Sequence, residues 1–273
     1  GKPESNRRSL AQGAMVEVLV DGQLGYAATN NFTVEGLRQA AQQAFQQAKA
    51  AAPWKIHAFQ PNVRPTALGV YQSPVEKPLI TLTTRHAHEL LSRICQGLKV
   101  SDQIVQASAS ITAKEVDTWL ASSSGTQVHQ HFSLFTPSFG ATAQDGAIVQ
   151  TRSNNGRGHC YQAGWEFFDV GDELWASVQR IGEQAIELLT AAECPDMTTA
   201  LVLAPDQMML QIHESIGHPL ELDRILGDDR NYAGGSFVKP ADFGTLQYGS
   251  EQLNFTFDPT VEQEFASFAF VDT

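Results

Sequence analysis

Residues 14–20, AMVEVLV, alternate in hydrophobic character and are β-rich; Asp21-Gly22 follows, and then QLGYAAT. Alternation at period two broken by Asp-Gly predicts a hairpin, because both residues tolerate the positive φ that a tight two-residue turn demands. The period then changes. Thr33 offers a hydroxyl to cap a helix in which Leu37, Ala40, Ala41, Ala44, Phe45 and Ala48 recur at helical spacing before Pro53 stops it. Between Pro53 and Pro78 five prolines interrupt any regular pattern, which predicts a surface connection with little structure of its own.

A second helix is expected over residues 84–99, TRHAHELLSRICQGLK. Residues 104–156 alternate between Ser-Gly, Asp-Gly and Asn-Gly breaks, and turns that short force an antiparallel meander, since parallel neighbours need long crossovers. Helical period returns over 172–191, with Leu174, Val178, Ile181, Ala185, Leu188 and Leu189 on one stripe. TALVLAPDQ, residues 199–207, then reads as a short strand, and so does the aromatic alternation of the closing FAFVDT. The opening at Gly1 and that closing strand lead us to expect further residues at both ends, so these residues leave a signal peptide undecided.

Composition narrows the function classes. With 273 residues and 42% hydrophobic side chains the chain can bury a sizeable core, and no apolar run approaches a membrane span. Eighteen Lys+Arg against thirty Asp+Glu give a formal net charge of -12, which argues against broad binding to nucleic acid or anionic membranes. Cys95, Cys160 and Cys194 are few, odd in number and widely spaced, as in a reducing, cytoplasmic setting rather than a disulfide framework.

The candidate chemistry lies in LQIHESIGHPLELDR, residues 210–224. His213 and His218 are five apart, one more than in H-E-x-x-H, and on a straight α-helix they would stand about 140° apart in projection. A π turn of about 4.4 residues would bring them to one face. Pro219, which lacks the N–H that Ser215 O would accept and biases His218 away from α geometry, together with Gly217, predicts such a departure. Glu214 beside the first histidine is then placed to act as general base on a metal-bound water. Two imidazoles fill half of a tetrahedral zinc shell, so two unrelated histidines remain the alternative on spacing alone.

Residues 201–238, LVLAPDQMMLQIHESIGHPLELDRILGDDRNYAGGSFV, resemble the core of the TldD/PmbA family, known from microcin maturation and DNA gyrase modulation. There an apolar strand runs into an H-E-x-x-x-G/H-like motif followed by Glu-x-Asp. Residues 20–45 and 164–191 resemble the family's early strand-turn-strand-helix and the helix ahead of its metal site. The resemblance implies an α+β fold: an N-terminal domain of helices and antiparallel sheet over 1–195, and the start of a C-terminal metallopeptidase domain over 196–273. It implies His213 and His218 as zinc ligands, Glu214 as catalytic base, and Glu221 and Asp223 as acids orienting the ligands. The family's third ligand is a late cysteine, expected beyond this chain. Short or unfolded peptides are the implied substrates, and a second copy or a related subunit the implied partner. A non-catalytic peptide-binding scaffold is the alternative function.

Other signals are weaker. His86 and His88 beside Glu89 point to different helix faces. His129 and His131 would share a strand face without a nearby carboxylate in sequence. Cys160 beside His159 reads as a buried thiol, and NNGRGH, 154–159, as turn chemistry. Gly234, Gly235 and Ser236, ahead of a β-prone run, offer an open backbone edge with which a peptide substrate could pair.

Overall fold

The computed structural model describes residues 3–270 except 57, 62–63, 155–158, 170, 262–263 and 266. The chain divides into two compact units, one built from 1–3, 67–210 and 249–273, the other from 4–66 and 211–248. The fold is mixed α+β, with helices and a largely antiparallel sheet. The domain boundary expected at 195/196 stays a proposal.

In the second unit, β1 (Ala14–Val20) and β2 (Gln23–Thr29) pair antiparallel around the expected turn, where Asp21 and Gly22 take φ of 50° and 78°. Helix α1 (Val34–Ala51) starts where Thr33 Oγ1 accepts from the Gly36 N–H at 3.1 Å. Its buried stripe is Gly36, Ala40, Ala44 and Ala48, so Leu37 and Phe45, expected inward, are left exposed. The reason is the close approach of backbones. A Cβ on Gly25 of β2 would stand 2.1 Å from Ala44 O and 2.6 Å from Ala48 N, so only small residues fit between strand and helix.

The larger unit is organised by β5 (Gln127–Asp145), which pairs antiparallel with β4 (Ile104–Ala121) from Gln127 to Ala143. Its other edge is shared by β6 (Ile148–Ser153) and the two-residue β7 (Tyr161–Gln162), both antiparallel, and by β3 (Leu68–Gln72). β3 is a correction on two counts: it lies in the proline-rich stretch expected to be irregular, and it runs parallel to β5. The prolines flank it without entering it, and a five-residue strand without a strong period is recognisable only beside its partner. Helices α2 (Thr84–Leu98) and α3 (Asp172–Glu187) form as expected. Their buried stripes, Leu90, Ile94 and Leu98 with Leu174, Val178, Ile181 and Ala185, close over Phe135, Phe139, Ala141 and Ala143 of β5.

Two expected strands are absent. Residues 199–204 are irregular and lead into α4 (Pro205–Ile212); Leu201 and Val202 are 77% and 94% exposed. A β-prone run becomes a strand only with a neighbour to bond, and among the described residues nothing pairs with this one. Residues 268–270 are likewise not a strand, and 271–273 lie outside the described residues. No described helix is long and apolar enough to cross a membrane.

The strand–helix contact gives the first prediction. Gly25→Ala should destabilise the protein by about 1–3 kcal/mol, because the added methyl meets backbone that has little room to yield. Equilibrium denaturation of the purified variant measures this, and unchanged stability would contradict the close approach.

Candidate metal centre

Helix α4 does not end at Ile212 but widens. Residues His213–Gly217 form a π turn, closed by the His218 N–H donating to His213 O, and a 3-10 turn, His218–Leu220, follows. The bond spans five residues, so the extra residue between the histidines is absorbed by the wider turn. Pro219 sits in the first positions of the 3-10 turn, where its missing N–H is tolerated. The carbonyl of Ser215 instead accepts from the Tyr248 hydroxyl. Gly217 and His218 both keep right-handed helical dihedrals, φ/ψ of -58/-67 and -58/-44, so neither the glycine's freedom nor a pre-proline shift makes the turn. Ile216, 5% exposed, is the buried residue of the turn.

The turn brings the chemistry together. The His213 and His218 rings lie edge to face with centroids 4.4 Å apart. One donor atom each from His213, Glu214 and His218 lie within 4.8 Å of one another, and among the described residues no other such trio of metal-ligating groups occurs. His218 Nε2 faces Glu214 Oε2 at 4.0 Å. Two imidazole nitrogens and a carboxylate, with His213 and Glu214 exposed, form a donor set that suits a divalent transition metal and leaves coordination positions open.

Behind His218, Nδ1 bonds Glu221 Oε1 at 2.8 Å. That hydrogen bond, reinforced by the Arg224 guanidinium, holds the Glu221 carboxyl below its ordinary range. Glu221 precedes the short helix α5 (Leu222–Leu226), so the 3-10 turn places it three residues after the ring it holds. Asp223 is directed elsewhere: its Oδ1 accepts from the Arg224 backbone N–H at 2.8 Å. Residues 231–238 contain no strand. Gly234 takes φ of 88°, Gly235 has open space around it, and Ser236 Oγ donates to Pro219 O while its N–H donates to Arg224 O. The Ser236 amide is therefore engaged within the chain rather than presented as an edge. Sequence reasoning missed Tyr248 and Arg224; only Arg224 carried a signal, standing three residues after Glu221, within the helix that Glu221 precedes.

Other histidines have partners of their own. His86 packs edge-on against Trp165 at 4.9 Å, and His159 Nδ1 bonds the Tyr161 hydroxyl at 2.9 Å. Cys160 is half-buried. Of NNGRGH, residues 155–158 lie outside the described residues. His129 and His131 do share a face, and the strand pairing supplies the carboxylate that adjacency in sequence did not. Asp117 Oδ1 stands 2.9 Å from His129 Nε2 and 3.1 Å from His131 Nδ1.

Fold and turn together define a mixed α+β protein with a potential metal-ligating His-Glu-His trio. Residues 1–48 match the family model described as PmbA/TldA metallopeptidase domain 1. Over 272 residues, 99% of its length, the chain is 25% identical to a protein named metalloprotease from Methanothermobacter thermautotrophicus, of which it covers 55%. It is 28% identical over 109 residues, 40% of its length, to a metalloprotease from Methanocaldococcus jannaschii, covering 22% of that protein. The chain thus spans about half the length of the first relative and about a fifth of the second. A solved structure from Thermotoga maritima, proposed to be a modulator of a DNA gyrase, is similar with a TM-score of 0.49 and 14% identity, over 67% of this chain and 39% of that one. The chain is thus similar to the PmbA/TldA metallopeptidase family over residues 1–48, and to proteins named metalloprotease over up to 99% of its length.

The Asp117 contacts carry a prediction. The hydrogen bond from His129, followed by that from His131, lowers the Asp117 pKa below its ordinary value. A lowered folded-state value means that the stabilisation is present above the unfolded pKa and is lost as pH falls through the folded one. Carboxyl NMR should find Asp117 titrating below an ordinary aspartate, and the His129→Ala, His131→Ala double variant should return it toward that value; an identical midpoint in both proteins would refute the contacts.

Proposed function

We propose that this chain carries the catalytic turn of a zinc metallopeptidase. The observation that supports it is the π turn, which converges two imidazoles and a carboxylate from within six consecutive residues. Zinc suits a site of neutral imidazoles with open positions, and when bound it supplies Lewis-acid activation of water and of the scissile carbonyl. His213 and His218 would hold the ion, and Glu221 would fix the ring of His218 through Nδ1.

Glu214 is the base in this reading. Its exposed carboxylate takes the proton of the attacking water as the new C–O bond forms, then delivers it to the departing amine nitrogen as the C–N bond breaks. No side-chain nucleophile is required. A further ligand from outside these residues, short or unfolded peptides as substrates, a cytoplasmic setting, and a second copy or a related chain as partner belong to the same proposal, on the family resemblance. The curated relatives named metalloproteases lend it support.

The test uses the purified full-length protein. Glu214→Gln should retain its zinc and lose peptide cleavage by about 10²–10⁴-fold, the usual contribution of a general base. His213→Ala and His218→Ala should each lose zinc while keeping the circular dichroism of the wild type. Cleavage that survives Glu214→Gln refutes the role of Glu214, and wild-type zinc content in both histidine variants refutes the ligand assignment.

A further inference from the structure

The Nδ1 atom of His218 has two polar neighbours, Glu221 Oε1 at 2.8 Å and Arg224 Nη2 at 3.1 Å. One ring nitrogen of a neutral imidazole either donates or accepts, so the two contacts cannot both be hydrogen bonds in the same tautomer. The carboxylate decides. A lone pair on Nδ1 would face the Glu221 anion at the shorter distance and be repelled, whereas an N–H there donates to it; the guanidinium at the longer distance is already matched in charge by Glu221. Nδ1 therefore carries the hydrogen. The lone pair is left on Nε2, the atom that faces Glu214.

This choice depends on Glu221 staying in place, and Glu221 is poorly held by burial, with 40% of its side chain exposed. Arg224 is better fixed, at 18%. Its Nη1 donates to Ala233 O at 3.1 Å, and its own carbonyl accepts from the Ser236 N–H at 3.2 Å. Its Nε is buried and stands against Glu221 Oε2 as a close ion pair rather than an aligned hydrogen bond. Arg224 is thus tied at one end to the 233–236 loop and meets Glu221 at the other.

We propose that Arg224 is a positioning residue: by clamping Glu221 it selects the Nδ1–H tautomer of His218 and leaves Nε2 free to ligate a metal. The inference rests on the reading of His218 as a ligand, but its first consequence is visible without any metal. The guanidinium lies on the Nδ1 side of the His218 ring, against Glu221, and so acts on Nε2 from the opposite side of the ring.

Nitrogen-15 NMR of the imidazoles in metal-free protein, with zinc titration by calorimetry and circular dichroism as a fold control, tests it. Wild-type His218 should show the Nδ1–H signature. In Arg224→Met it should move toward the Nε2–H form that free imidazole prefers, and zinc should bind about tenfold or more weakly, the usual effect of losing a ligand's supporting partner. Arg224→Lys, which keeps the charge and loses the planar fork, should fall between. An unchanged tautomer in folded Arg224→Met overturns the proposal, as does a shifted tautomer with wild-type zinc affinity. If Arg224→Met fails to fold, the same two criteria applied to Arg224→Lys decide. Failure of the functional reading looks different: the tautomer then responds to Arg224 while wild-type protein takes up no zinc.

Discussion

The backbone bond from the His218 N–H to His213 O governs everything proposed for this protein. It spans five residues where an α-helix would span four, and it cancels the extra residue between the histidines. Without it the two rings would stand about 140° apart around a helix axis. With it their centroids are 4.4 Å apart. A π turn is an uncommon arrangement, and here two backbone carbonyls in and after it accept from side chains: Ser215 O from Tyr248 and Pro219 O from Ser236. Removing such supports should let the helix relax toward ordinary pitch, with the histidines parting as it does.

Polar layers are graded around this turn. His213 and Glu214, the groups that would meet an ion or a water, are exposed, while His218 is half-buried and Arg224 behind it more so. The gradient is physically sensible. An exposed donor set remains open to ligand and solvent, while Arg224, the least exposed of these groups, gives the more exposed Glu221 a fixed partner. The hydrophobic core over β5 is built from other residues, so substitutions in the turn should report on the site rather than on that core.

Much of the fold was legible because local patterns were strong. The Asp-Gly hairpin, the Thr33 cap and the stripes of α2 and α3 each follow from backbone preference or helical period. Elements whose existence depends on a distant neighbour were not. β3 needs β5 beside it, and residues 199–204 are equally β-prone in sequence yet remain irregular among the described residues. Leu37 and Phe45 show a subtler limit: periodicity located the helix, but the close approach of β2 chose which face turns inward.

At the candidate site the division is similar. By itself the sequence determined the residue types and the fault in the α ladder: two histidines five apart cannot share a face of a regular helix, and Pro219 cannot continue its hydrogen bonds. Only the tertiary structure decided how that fault resolves. It keeps Gly217 and His218 in right-handed geometry, selects Glu221 rather than Asp223 as the acid on His218, and recruits Tyr248 from more than thirty residues away. It likewise placed Asp117 between His129 and His131 through strand register. The physical reason is common to all of these: donor and acceptor capacity belongs to single residues and can be read along the chain, whereas the partner that satisfies it is set by which backbones the packed core and paired strands bring within about 3 Å.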